Sequence, residues 1–264
     1  MPKNKLTLSI VIPAYNEEDY LGPCLDSIAR QTIQPDEVIV VNNNSSDKTI
    51  QLTSKRKFVK LINQPRQGTA YAQKTGFKAA TGDIIGRIDA DTRLETDWVE
   101  KALCFFDTNP RVAAVTGKAY FYDFPFRRLS SVVHHSFYQL SQKLVTGSDI
   151  LWGANMVLRS ADWRSVEYKC LLGKQINEDV DLSLHLINAG KVIKRDTDLR
   201  ASVSMRRGDL GLISNIIYLS AWPRTYWLNR FYWQSLFIYL VVLIVLVLGV
   251  PFYLRNALVH KAKR

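Results

Sequence analysis

From residue 6 to residue 106 the chain alternates between two kinds of apolar pattern. Leu6-Thr7-Leu8-Ser9-Ile10-Val11-Ile12, Glu37-Val38-Ile39-Val40-Val41, Phe58-Val59-Lys60-Leu61-Ile62 and Asp83-Ile84-Ile85-Gly86-Arg87-Ile88 are short, largely unbroken apolar runs. Runs of this kind read as buried strands, and near-continuous apolarity suits parallel strands covered on both faces. Between them lie segments with helical spacing. Glu17 to Arg30 puts Leu21, Leu25 and Ile28 on one face, Thr69 to Ala80 ends at the Thr81-Gly82 stop, and Glu95 to Phe106 follows. Asn42 to Asp47 is a polar turn, with Ser46 placed to cap the next helix. The order β-α-β-α-β-α-β-α predicts an α/β fold with a doubly wound, mostly parallel sheet.

The pattern is less regular afterwards. It predicts strands over Val112–Phe121, Leu151–Arg159 and Lys191–Ile193, and helices over Arg127–Leu144 and Asp179–Ala189, the latter stopped by Gly190. There is no internal repeat and no low-complexity segment.

The last quarter changes character. Phe231 to Leu254 is 24 residues without a charge, bracketed by Arg230 and Arg255. As a helix it reaches ~36 Å, enough for a hydrocarbon layer of ~30 Å with some tilt. Phe231-Tyr232-Trp233 and Phe252-Tyr253 sit just inside its ends like aromatic belts, and Leu210 to Leu228 has the mixture of an amphipathic interfacial helix. The expected organisation is an α/β domain over 1–205, an interfacial segment over 206–230, a transmembrane helix over 231–254 and a basic tail over 255–264.

Composition sharpens this picture. The formal net charge is +11, from 35 Lys and Arg against 24 Asp and Glu, which favours an anionic partner. Arg206, Arg207, Arg224, Arg230, Arg255, Lys261, Lys263 and Arg264 gather around the apolar segment, pointing to anionic membrane lipid. No nucleic-acid-binding motif is present, so nucleic acid is not expected as a partner. Cys24, Cys104 and Cys170 are widely spaced and read as buried small hydrophobes in a reducing compartment. The N-terminus lacks the apolar stretch of a signal peptide.

The first candidate chemistry is Asp89-Ala90-Asp91 at the end of an apolar strand. On an extended strand the two carboxylates point the same way, and a hard divalent cation between them would relieve their repulsion. The competing reading is a solvated turn. A second acidic cluster, Asn177-Glu178-Asp179-Val180-Asp181-Leu182, reads by itself as the first turn of a helix, where the dipole favours carboxylates. The pair His134 and His135 reads as surface or groove lining, Trp163 as core, and Trp152 as either packing or a sugar platform.

Taken in order, Ser9-Ile10-Val11-Ile12-Pro13-Ala14-Tyr15-Asn16-Glu17-Glu18, the turn Asn42-Asn43-Asn44-Ser45-Ser46-Asp47, Gln67-Gly68-Thr69-Ala70, Asp89-Ala90-Asp91 and Asn177–Leu182 resemble glycosyltransferase family 2. Those are inverting enzymes with the GT-A fold, and the resemblance spans about residues 6 to 200. It implies that Pro13, Ala14, Tyr15 and Glu17 line a nucleoside pocket and that Asn42 stands where a base-contacting Asp is usual. Gly68 would let the backbone approach the nucleotide. Asp89 would hold the nucleotide, and Asp91 a Mg²⁺ or Mn²⁺ ion on the diphosphate. Trp152, Gly153, Ala154, Asn155 and Glu178 would form the acceptor side, and Asp179 would be the catalytic base. Two departures from the family pattern are Asn42 and His185, the latter where Arg is frequent. The expected function is sugar transfer from a nucleotide-diphosphate donor to an acceptor hydroxyl at the membrane, with the catalytic domain facing the cytoplasm. The alternatives are transfer to a polyprenyl phosphate and a catalytically silent GT-A partner protein.

Overall fold

The computed structural model describes residues 5–123, 139–173, 175–206, 212–244 and 246–247. Its frame is one eight-stranded sheet. The first half contains β1 (Leu8–Ala14), α1 (Leu21–Ala29), β2 (Glu37–Asn42), α2 (Thr49–Ser54), β3 (Val59–Asn63), α3 (Thr69–Ala79), β4 (Ile84–Arg87), β5 (Arg93–Leu94) and α4 (Trp98–Thr108). Then follow β6 (Val112–Phe121), the helical residues 139–146 (α5), a 3₁₀ turn (Gly153–Asn155), β7 (Met156–Arg159) and α6 (Ser160–Val166). The remainder is α7 (Glu178–Asn188), β8 (Val192–Val203), α8 (Leu212–Leu228) and helical residues 232–244 (α9).

The strand order is β3-β2-β1-β4-β7-β6-β8-β5. β1 pairs in parallel with β2 and β4, β2 with β3, and β6 with β8, while β7 and β5 run against their neighbours. Six strands therefore share one direction, and the expected mostly parallel sheet becomes a mixed one through β7 and β5. The pleat sorts its apolar residues in two. Leu8, Ile10, Ile12, Val38, Val40 and Ile84 enter one core with α1 and α4. Val11, Ile39, Val41 and Ile85 enter the other with α3, α6 and α7. This period-two division is why the strands read as unbroken apolar runs.

Several expectations are corrected. The acidic pair lies outside β4: the Thr92 N–H donates to the Asp89 carbonyl at 3.0 Å, closing a turn. The Asp47 carboxylate, not Ser46, accepts the Thr49 N–H at the start of α2. Cys24 is buried, but Cys104 is exposed on α4 and Cys170 half-buried. Most of the helix expected over Arg127–Leu144, with His134 and His135, lies outside the described residues.

The C-terminal helices share a core with the α/β unit. Tyr226, Ile238 and Val242 are buried with Val145, Ile150, Val180 and Leu184. Thr225 Oγ1 accepts the Asn177 N–H at 2.9 Å, and Asn229 Nδ2 donates to Asp181 at 2.8 Å. The boundary expected at residue 205 is thus crossed by packing and hydrogen bonds. Among the described residues no helix is long and apolar enough to cross a membrane. Residues 248–254 of the expected span, and the basic tail, lie outside the described residues.

Candidate active site

Parallel pairing places the carboxyl ends of β1, β2 and β4 on one edge, with Ala14 opposite Asn42 and Val11 opposite Arg87. The turns that leave those strands form an open cleft with about 170 Å³ of enclosed space. Pro13, Ala14, Tyr15, Glu17, Asn43, Thr69, Asp89, Asp91 and Arg206 are among its lining residues. This is the crevice at which open α/β sheets commonly bind ligands.

Each wall has a local cause. Asn16, at φ 54°, turns the chain after β1, and its side-chain oxygen accepts the Ser46 N–H at 2.8 Å. The Glu17 N–H donates to Thr49 Oγ1 at 2.7 Å, so the first two turns are stitched together. Asn43 Oδ1 accepts the Gly68 N–H at 2.7 Å, while its Nδ2 donates to the Gln64 and Arg66 carbonyls. Gly68 has φ 140°, a backbone state open to glycine, and from it α3 starts with Thr69 and Ala72 on the cleft.

The two carboxylates of the acidic turn take different partners. Asp91 Oδ2 lies 3.1 Å from Arg206 Nε, and Arg206 Nη2 lies 2.6 Å from Glu17 Oε1. The Arg206 guanidinium also lies 4.3 Å from the centre of the Tyr20 ring. Asp89 Oδ1 is instead 3.1 Å from Arg87 Nη2. Arg87 is buried, and it also reaches Glu178 Oε1 at 3.2 Å and Asp179 Oδ2 at 3.6 Å.

The second acidic cluster opens α7. Asn177 caps that helix by accepting the Val180 N–H at 3.0 Å. Asp179 is buried and accepts the Gly153 N–H at 2.7 Å. Burial, and then the neighbouring Asp179 carboxylate, push Glu178 up to about 7 against the pull of Arg87. Asp181 is buried away from the cleft and accepts from the Leu171 N–H and from Asn229. His185 lies 3.5 Å from Asp181, also away from the cleft lining.

The structure brings Pro13, Ala14, Tyr15, Glu17, Asp89 and Asp91 to one cleft, with Gly68 at its rim. It joins Glu178, Asp179 and Gly153 to Asp89 through Arg87. Four expected residues, Asn42, Trp152, Ala154 and Asn155, are placed elsewhere. Asn42 donates to Asn63 and accepts the Ser45 N–H, and Asn43 replaces it in the cleft lining. Asn155 is fully buried: it accepts from Trp98 Nε1 at 2.8 Å and donates to the Lys118 and Leu199 carbonyls. Ala154 is buried, and its carbonyl accepts from Thr92. Trp152 packs against the cluster of Ala119, Phe121, Ala154 and Val203, and Trp163 is core, edge-on to Phe77. The sequence reading missed Arg87, Arg206 and Asn43. A charge inside an apolar strand was a usable signal for Arg87, since a buried charge needs partners.

Residues 9–165 match the family model described as Glycosyl transferase family 2. Chondroitin synthase of Pasteurella multocida (strain Pm70) is 36% identical over 112 residues, covering 41% of this chain and 12% of that protein. This chain thus aligns with about an eighth of that relative. The S. aureus TarS 1–349 structure in complex with UDP-GlcNAc superimposes with a TM-score of 0.60 at 16% identity, over 84% of this chain and 73% of that one. Mannosyltransferase PcManGT from Pyrobaculum calidifontis, in complex with GDP-Man and Mn²⁺, gives 0.59 at 17% identity, over 96% and 82%. At these identities the structural likeness concerns the fold.

Proposed function

The chain belongs to glycosyl transferase family 2, and from that premise we propose that it is an inverting, metal-dependent transferase working at a membrane. It moves a sugar from a nucleotide-diphosphate donor to an acceptor hydroxyl. The observation that carries this reading is the cleft at the carboxyl edge of β1, β2 and β4, tied through Arg87 to the carboxylates of α7.

Tyr15, half exposed beside Pro13 and Ala14, offers a flat apolar face for the nucleoside base. Asp89 and Asp91 offer hard oxygen donors for a divalent cation. Among the described residues no three His, Cys, Asp or Glu form a ready cage. That donor set fits Mg²⁺ or Mn²⁺, which bind through one or two carboxylates with substrate phosphates completing the shell. Bound there, the ion supplies Lewis-acid neutralisation of the leaving diphosphate. Arg206 adds a second positive charge in the same cleft. Asp179, gripped by the Gly153 N–H and facing Arg87, takes the acceptor proton as the hydroxyl attacks from the side opposite the leaving group.

The C-terminal helices support the membrane part. Trp233, Leu236, Tyr239, Leu240 and Leu243 are exposed on α9, and Arg224 on α8 and Arg230 between the helices are exposed. Apolar and aromatic side chains beside arginines suit an anionic lipid surface. Residues 232–244 of α9 reach ~20 Å, and their exposed apolar side chains suit contact with that surface.

The test is a screen of nucleotide sugars that reads released diphosphate with and without Mn²⁺, on wild type, Asp91→Ala and Asp179→Asn. Wild type should turn over only with the metal, and Asp91→Ala should lose metal-dependent donor binding. Asp179→Asn should keep donor binding and lose roughly 10²- to 10⁴-fold in rate. Full activity in excess chelator counts against the metal, and a near wild-type rate in Asp179→Asn counts against the base.

A further inference from the structure

Resting on the reading in which Asp179 is the base, we propose that Arg87 is the positioning residue that fixes this base relative to the donor carboxylate Asp89. Arg87 sits at the end of β4, with its side chain 3% exposed. One nitrogen, Nη2, is shared between Asp89 at 3.1 Å and Glu178 at 3.2 Å, and Nη1 faces Asp179 at 3.6 Å. Its partners come from two elements, the turn after β4 and the first turn of α7. A planar guanidinium has fixed donor directions, so contact with both elements sets their distance and angle; an ammonium is a point charge and lacks that geometry.

The opposite side of the grip is Gly153. Its N–H donates to the same Asp179 oxygen that faces Arg87. A side chain at position 153 would place its Cβ 1.4 Å from Arg87 Nη1 and 2.5 Å from Asp179 Oδ2. The missing side chain is therefore the space that the guanidinium occupies. Asp179 Oδ2 is held between a cation and a backbone donor, and the cation is also bonded to the donor side of the cleft. Orientation is worth much here, because a misplacement of about 1 Å at a reacting group costs about 10²-fold in rate.

Arg87→Met alone strands three carboxylates, of which Asp179 is buried, and risks unfolding. Arg87→Met/Glu178→Gln removes one of those charges together with the cation, and Arg87→Lys keeps a charge in place. Each is compared with wild type, Glu178→Gln and Asp179→Asn for unfolding midpoint, Mn²⁺-dependent donor affinity by calorimetry, and transfer kcat. In the folded double variant, donor affinity should stay near wild type while kcat falls about 10²-fold below Glu178→Gln. Arg87→Lys should fall between, with unchanged donor affinity. A merely structural Arg87 would lower the midpoint and leave kcat per folded molecule unchanged. Kcat equal to that of the matching control in Arg87→Lys or in the folded double variant overturns the inference. The Asp179→Asn arm separates the two claims. A fast Asp179→Asn removes the base reading itself, whereas a slow Asp179→Asn beside fast Arg87 variants removes only the role of Arg87.

Discussion

A guanidinium that faces Asp89, Glu178 and Asp179 cannot balance three negative charges, and Glu178 is the member left holding a proton. Burial and the adjacent Asp179 raise it from an ordinary 4.5 to about 7. The sign of the pH effect follows. Between about 4.5 and 7 the folded state keeps this proton while the unfolded chain releases it, so stability falls as pH rises through that window. Glu178→Gln cannot ionise, so its stability relative to wild type should improve from pH 5 to pH 8. Urea midpoints measured across that range check this, and a constant difference would refute it. At this scale the sequence was partly legible. Asp89, Asp91 and Asp179 stood out as acids in ordered motifs. Arg87 stood out less, as one charge in an apolar strand. Arg206 carried no local signal, because only the fold brings residue 206 to Glu17 and Asp91. Asn42 and Asn43 differ by one position, and the end of β2 turns one amide to Asn63 and the other to the Gly68 loop. Neither choice can be read from two adjacent asparagines.

Helix α7 serves two neighbours with two faces of its first turn. Asp179 faces Arg87 and Gly153, while Asp181 is bonded to the loop before α7 and to the turn after α8. Asp181 accepts from the Leu171 N–H and from Asn229 Nδ2, both at 2.8 Å, and is 1% exposed. Removing it leaves two donors without their acceptor in a buried place. Asp181→Ala should cost about 3 kcal/mol, and Asn229→Ala, which removes one donor, about 1 kcal/mol. Chemical denaturation measures both; equal small losses would show that Asp181 does not join these elements. Elements with one clear period were legible: β6 was expected at its observed bounds and α3 to within a residue. β8 was foreseen only at its start, because Lys194, Arg195, Asp196, Asp198 and Arg200 interrupt its apolar positions. Its length comes from pairing with β6 and β5, which sequence periodicity does not report.

At the scale of the molecule, the described helical residues 232–244 of the charge-free run have two apolar faces for two different reasons. One face, with Ile238 and Val242, is buried against Val180 and Leu184 of α7. The other carries Trp233, Leu236 and Leu240, which are 62%, 74% and 54% exposed. A sequence window averages the two faces, because hydropathy does not distinguish a protein core from lipid. The faces can be separated by mutation. Trp233→Ser/Leu236→Ser/Leu240→Ser should keep the unfolding midpoint, since these side chains touch solvent. Ile238→Ser buries a hydroxyl beside Tyr226 and removes an aliphatic side chain from the shared core, at a cost of about 2–4 kcal/mol. On the proposed membrane reading, wild type sediments with vesicles containing anionic lipid, and the triple variant stays in the supernatant while still binding donor. High salt should weaken what binding remains through Arg224 and Arg230. A wild-type protein that ignores such vesicles and elutes as a dimer, with the triple variant monomeric, would assign the exposed face to a second copy of the chain and refute the membrane reading.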